Sequence, residues 1–232
     1  MLECWAISTR NHPNSETYFI AKEGPISSTS SDTLQLGQWR SGQADLRLAT
    51  ETQGYAVIDG PVLVPGEWYH LAATYNSQAE GDNLMLYVNG INVGYVRAER
   101  LVRADRGPLY LGGSKDVRKP GSVTLDEVRI WDPARTESEI VSNMNQALAD
   151  AEAGLAAWYP LDGNTRDLSG NGHHGVLLYK ERFVSGKLGS PELPVEPRVI
   201  FEESFEALPA GGDLIGQGGW AGFGPRRVWF QP

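Results

Sequence analysis

The sequence predicts an all-β chain folded as a two-sheet antiparallel sandwich, with one short helix late in the order. Three observations carry this. The apolar segments are of strand length, Gly, Pro and Asn turn signals separate them, and one segment alone has a helical repeat. Roughly ten strand segments precede that helix without alternating with helices, which disfavours a parallel α/β sheet. A jelly-roll or Greek-key path closes such a run into two facing sheets.

In chain order, Leu2 to Ser8, Tyr18 to Ala21, Leu34 to Trp39, Leu46 to Ala49 and Tyr55 to Ile58 are apolar or alternating runs of strand length. Asn11-His12-Pro13-Asn14, Glu23-Gly24-Pro25, Arg40-Ser41-Gly42 and Asp59-Gly60-Pro61 supply the turn chemistry between them. Trp68 to Tyr75 and Leu84 to Val88 are clearer strands. The second leads through Asn89-Gly90 into Ile91 to Val96. Asn-Gly between two such runs favours a type I′ turn, because both central residues must accept positive φ.

Leu109 to Leu111 and Val123 to Trp131 follow. Strict alternation puts Thr124, Asp126, Val128 and Ile130 on one face of the latter, and Val123, Leu125, Glu127, Arg129 and Trp131 on the other. Thr136 with Glu139 three residues on is a capping box, each side chain satisfying an orphan amide of the first helical turn. Ile140, Met144 and Leu148 then form one apolar stripe. Gly154 ends that section, and Leu155 to Leu161 returns to strand. Cys4 reads as a small buried apolar residue, and Trp5, Trp68, Trp131 and Trp158 as core.

Composition bounds the function. The 232 residues, 41% hydrophobic and 21% charged with 27 Gly and 14 Pro, suit one large all-β domain or one domain plus a fragment. A single Cys excludes an internal disulfide framework and a Cys-based zinc site. The net charge of −9 and pI near 5.0 argue against nucleic acid or an anionic membrane as partner. No apolar run approaches the roughly 20 residues of a membrane span. Met1-Leu2-Glu3-Cys4-Trp5 shows no basic stretch or cleavage pattern, so no signal peptide is expected here. Pro191, Pro194 and Pro197 with Glu192 and Glu196 read as a stiff linker. The expected organisation is a sandwich over 1–190, a linker over 191–200, and over 201–232 either the start of a further, truncated module or a docked extra strand.

Several motifs add up to a family likeness. Pro65-Gly66-Glu67-Trp68-Tyr69-His70-Leu71-Ala72-Ala73-Thr74-Tyr75 and Leu84-Met85-Leu86-Tyr87-Val88-Asn89-Gly90 resemble a central strand and the hairpin after it. Leu109-Tyr110-Leu111-Gly112-Gly113 and Leu125-Asp126-Glu127-Val128-Arg129-Ile130-Trp131 match two later strands. Gly154 to Gly163 and Asp167-Leu168-Ser169-Gly170-Asn171-Gly172-His173-His174-Gly175 complete the pattern. Jointly and in this order, the motifs resemble laminin-G-like and pentraxin-like modules of the concanavalin A type. The resemblance implies a two-sheet antiparallel jelly roll and an extracellular or cell-surface setting in a larger protein. In such modules the Asp-Gly to Asn-Gly stretch often opens the domain. Here 155–182 is read as completing the first sandwich.

The sequence offers three kinds of candidate site. The loop from Asp162 through Asp167 to Asn171 is rich in the hard oxygens calcium wants, with glycines that turn carbonyls inward. The resemblance adds Asp126 as a further carboxylate, so Asp126, Asp162, Asp167 and Asn171 are the expected ligands of one structural calcium. The same residue types also build any tight loop. A second, pentraxin-like calcium position at Ser114-Lys115-Asp116 is disfavoured by the Lys115 cation.

For sugar binding, Leu34 and Leu36 turned inward set Gln35, Gly37 and Trp39 on the opposite face, and Leu46 and Leu48 do the same for Asp45 and Arg47. If the two strands are neighbours, Trp39, Gln35 and Arg47 form an aromatic-polar platform of the kind that takes a glycan. A loop or sheet edge covering Trp39 is the other reading, and the favoured one. For catalysis, Asp126 and Glu127 are adjacent on a strand and are expected on opposite faces, Glu99, Asp105 and Asp116 show no paired spacing, and nucleophile-elbow and phosphate-loop motifs are absent. His70 reads as a satisfied interior histidine.

The expected function is a non-catalytic extracellular binding module for a carbohydrate or a matrix or surface ligand, with a structural calcium and no nucleic acid or membrane insertion. An architectural spacer and a degenerate glycoside hydrolase relative are the alternatives.

Overall fold

A computed structural model describes residues 1–9, 16–23, 32–51, 54–99, 107–113, 123–178, 182–188 and 228–230. The turn signals at 11–14 and 24–25, the Ser114 to Asp116 position, the 191–200 linker and most of 201–232 lie outside these residues.

The strands are β1 (Leu2–Ser8), β2 (Thr17–Glu23), β3 (Asp32–Gln38), β4 (Gln43–Ala49), β5 (Tyr55–Val62), β6 (Tyr69–Tyr75), β7 (Leu84–Val88), β8 (Ile91–Val96), β9 (Leu109–Leu111), β10 (Val123–Trp131), β11 (Leu155–Tyr159), β12 (Gly175–Leu177) and β13 (Val228–Phe230), with α1 (Glu137–Asn143) between β10 and β11. They form a six-stranded sheet, β11-β10-β1-β6-β7-β8, and a seven-stranded sheet, β12-β13-β9-β2-β3-β4-β5. Neighbours run antiparallel, apart from β13, which lies parallel to both β12 and β9. The protein is a two-sheet antiparallel jelly-roll sandwich with one short helix, and residues 155–177 supply strands to both sheets.

The core lies between the sheets because alternation sends one side chain in two inward. Leu2, Cys4, Leu71, Leu84, Leu86, Val128 and Ile130 from the first sheet meet Ile20, Leu34, Leu36, Leu46, Leu48, Ile58 and Leu111 from the second. Each fully buried aliphatic contributes about 1.5–3 kcal/mol of transfer free energy. The Asn89-Gly90 turn has φ of 52° and 79°, the double positive φ of the I′ type.

A second apolar layer covers the outer face of the six-stranded sheet. Thr136 caps α1 with the reciprocal Glu139 bond, and Ile140 packs with Tyr87, Trp131, Leu155 and Trp158, Leu148 lying against them. The tryptophan indoles are anchored there. Trp5 donates to the Met144 carbonyl at 2.6 Å, Trp131 to Glu3 Oε1 at 2.7 Å and Trp158 to Glu127 Oε2 at 3.0 Å. These three are therefore buried under the helix rather than between the sheets. Trp68 is only half-buried and precedes β6.

The predicted alternation of β10 fails at one point. Glu127 has φ 50°, and the β1–β10 register slips between Glu3↔Arg129 and Trp5↔Asp126. A bulge inserts one residue, so the side chains on either side of it no longer alternate. Asp126 lies opposite Trp5, and Glu127 holds the outward-facing Arg129 and Trp158. Both carboxylates thus lie on the outer face, not on opposite faces. A bulge depends on the partner strand's register, which one strand's pattern does not contain.

Candidate functional site

On the seven-stranded sheet, Leu34, Leu36, Leu46 and Leu48 point into the core, which turns Gln35, Asp45 and Arg47 outward. Gln35 lies directly across from Arg47 and Gly37 across from Asp45. Trp39 opens the turn at the end of β3, its backbone tied to Gln43 and Gly42, and its ring leans over β4. The Arg47 guanidinium stands 3.7 Å from the Trp39 ring centroid, a cation–π contact, while its Nε donates to Asp45 Oδ1 at 2.9 Å. On the other side of β3, Gly37 lets β2 approach closely: a Cβ there would meet the Thr17 carbonyl oxygen at 2.2 Å.

The sequence-predicted platform residues therefore meet, with a division of labour. Trp39 and Arg47 are half-exposed, whereas Gln35 and Asp45 are buried and form the floor. Among the described residues, the Arg47 Nη atoms and the Trp39 indole N–H have no hydrogen-bond partner, and none of them is buried. They are a fork of donors beside an aromatic plate.

One neighbour was missed. Asp59 lies opposite Asp45, with Val57 opposite Arg47 and Tyr55 opposite Ala49. Asp59-Gly60-Pro61 reads as a turn, yet β5 continues through it to Val62. An edge strand tolerates Pro61, whose missing N–H need not pair. The alternation of exposed Tyr55, Val57 and Asp59 with buried Ala56 and Ile58 was the signal that could have found it. Asp45 is held above the usual carboxylate range, chiefly by burial, with Arg47 pulling it down and Asp59 pushing it up.

The residues expected to hold calcium are organised differently. Asp167 is buried and spends both oxygens on backbone amides: Oδ1 accepts from Trp158 at 3.0 Å and Ser169 at 2.9 Å, and Oδ2 from His173 at 2.9 Å. Asn171 donates its amide to the carbonyls of Leu155 and Ala156. Asp126 Oδ2 accepts from the amides of Lys187 and Leu188 at 2.7 and 2.9 Å, and Gly186 packs against the same carboxylate. Asp162 is close enough for its charge to add to the burial that raises Asp126. Asp126 and Asp162 are thus neighbours, while Asp167 and Asn171 brace the loop. Among the described residues, no group of three or more acidic, His or Cys side chains is placed to hold a metal. This donor arrangement does not fit a calcium cage.

The buried charges beneath α1 form a third constellation. Arg129 binds Glu127 Oε2 through Nε and Nη2 at 3.0 and 2.7 Å and reaches the carbonyls of Asn143 and Gln146, docking the helix end. Glu3 accepts from Trp131 and stands 3.3 Å from His70 Nε2, the partner the sequence could not name. Burial pushes Glu3 up, but the neighbouring His70 imidazole, the Arg129 guanidinium and the Trp131 hydrogen bond outweigh it and hold Glu3 below 4.5. Glu127 is pushed up, mainly by burial and against the pull of Arg129. Cys4 is fully buried and its thiol is raised, as suits an inert core residue.

Comparison with known proteins places the chain. Residues 2–141 match the Laminin_G_3 model of the concanavalin A-like lectin/glucanases superfamily. The chain belongs to that superfamily. This laminin-G-type domain is 32% identical over 133 residues to pappalysin-1 of Mus musculus, a match covering 50% of the chain and 8% of pappalysin-1. A candidate carbohydrate binding protein from Bacteroides ovatus shares its fold at a TM-score of 0.54 and 24% identity, over 70% of this chain and 45% of that one. The sialidase CBM40 of Ruminococcus gnavus, solved with α2,6 sialyllactose, aligns at a TM-score of 0.47 and 14% identity, covering 61% of this chain and 80% of that one. The laminin-G-type chain thus spans a small part of its curated relative and under half of the Bacteroides protein. No helix among the described residues is long and apolar enough to cross a membrane.

Proposed function

We propose that this chain is a non-catalytic binding module that holds a glycan on the outer face of its seven-stranded sheet, within an extracellular or cell-surface protein. The observation that carries the reading is the Trp39–Arg47 pair: an aromatic plate 3.7 Å from a guanidinium whose terminal nitrogens are unspent. Pyranose rings present an apolar face to such a plate and hydroxyls to such a fork. Asp45 fixes the guanidinium through Nε and leaves its outer edge toward solvent. On the opposite sheet, α1 covers Tyr87, Trp131, Leu155 and Trp158. The superfamily's lectin membership and the carbohydrate-binding description of the Bacteroides protein support the reading. Calcium has no part in it.

The test is a glycan array probed with the 232-residue chain, its Trp39→Ala variant and its Arg47→Ala variant. Signals present in the parent and lost in both variants are the expected result. Loss of a desolvated stacking or charged contact costs about 1–3 kcal/mol, hence roughly fivefold to over a hundredfold in affinity. No signal, or equal signals from parent and variants, rejects the platform and favours an architectural spacer.

A further inference from the structure

The charge around the platform says which glycans it takes. Two guanidiniums, Arg40 and Arg47, stand at Trp39, at 5.3 and 3.7 Å from its ring. Each is already neutralised: Arg40 by Glu16 at 2.9 Å and Arg47 by Asp45 at 2.9 Å. A third carboxylate, Asp59, is exposed and lies directly across from Asp45. Among the described residues no cation pairs with it. Asp45 and Asp59 stand in side-chain contact and Asp45 is held raised, so Glu16, Asp45 and Asp59 together leave the platform no excess positive charge against Arg40 and Arg47.

Resting on the glycan reading above, we infer that the platform selects uncharged glycans over sialylated or sulfated ones, with Asp59 as the residue that sets the discrimination. An uncharged sugar uses the whole surface. Its hydroxyls accept from the Arg47 Nη groups and the Trp39 indole and donate to the Asp59 carboxylate, while its apolar face covers the ring. An anionic substituent uses the donors alone. It meets a guanidinium whose charge Asp45 has already compensated, and it is repelled by Asp59. The corresponding discrimination is on the order of tenfold.

The experiment compares matched pairs on one array, each neutral glycan beside its sialylated or sulfated derivative, at low and at physiological salt. It uses the parent chain and the Asp59→Lys and Trp39→Ala variants, each checked by thermal melting for an intact fold. The expected result is neutral glycans bound roughly tenfold better than their acidic partners, a gap that widens at low salt. Asp59→Lys then closes or reverses that gap. Acidic glycans preferred by the parent, in signals that Trp39→Ala abolishes, would overturn the selectivity and leave the glycan platform standing. A gap unchanged in Asp59→Lys overturns Asp59's role. No Trp39-dependent binding to either class defeats the platform itself, and this inference with it.

Discussion

The loop from Asp162 to His174 is held by Asp167, so Asp167→Asn is the sharpest perturbation of it. The change is isosteric and leaves no cavity. It keeps one oxygen for the Trp158 and Ser169 amides but turns an NH2 group toward the His173 amide, donor against donor, in a place only 4% exposed. A bond to a charged acceptor is worth about 1.5–3 kcal/mol, and a buried amide left unpaired costs in the same range. Allowing for relaxation of the loop, the net loss is about 2–3 kcal/mol. At about 2–4 °C per kcal/mol for a domain of this size, Tm falls by about 4–12 °C. Differential scanning calorimetry in chelator and in excess calcium reads this directly. Calcium at about 100 times its Kd would stabilise a real site by about 2.7 kcal/mol. An amide-braced loop gains none, so the parent should melt within about 1 °C in the two buffers. An Asp167→Asn protein as stable as the parent, or a parent destabilised by chelator, refutes the reasoning.

Two further predictions concern the scaffold. Gly37→Ala drives a Cβ to 2.2 Å from the Thr17 carbonyl oxygen, and backbone cannot step aside as a side chain can; urea unfolding should show a loss of about 3 kcal/mol, while Gly81→Ala, with nothing within 4 Å, changes stability by less than about 0.5 kcal/mol. The pH profile follows from the buried acids. Glu3 is lower in the fold than its ordinary 4.5, so its contribution is present above that value and is lost as pH falls below it. Asp45, Asp126 and Glu127 are shifted upward, chiefly by burial, so their protonation favours the fold first as pH drops from neutral. Urea midpoints should therefore hold or rise toward mild acid and turn down below 4.5, and Glu3→Gln should flatten that acid limb. An unchanged acid limb in Glu3→Gln contradicts the assignment.

Most of the fold was legible because its signals are local. Alternation located β3 and β4 and the faces they present, Asn89-Gly90 carried its turn type, and Thr136 with Glu139 announced the helix start. Alternation put Trp39 and Arg47 on one face, and the pairing of β3 with β4 brings them together. What was not legible depends on strand register or on contacts between distant segments. The β10 bulge arises where β1 pairs with it, and it moved Asp126 and Glu127 onto one face. Asp59 was hidden because Gly60 and Pro61 carry turn chemistry that an edge strand overrides. Asp167 and Asn171 are oxygen-rich loop residues whether they bind a cation or the backbone, and only the hydrogen bonds to Trp158, His173 and Leu155 separate the two uses. Glu3 and His70 lie far apart in sequence and meet through the β1–β6 pairing.

The central claim is that Trp39 is the contact surface for a glycan, and the indole N–H resonances of the seven tryptophans test it most directly. Those of Trp5, Trp131 and Trp158 are tied to Met144, Glu3 and Glu127 inside the protein. Titrating a glycan that scores on the array, and assigning Trp39 by its absence in Trp39→Phe, should move the Trp39 resonance and leave those three in place. A glycan that binds while Trp39 stays still, or that moves the buried indoles instead, contradicts the account.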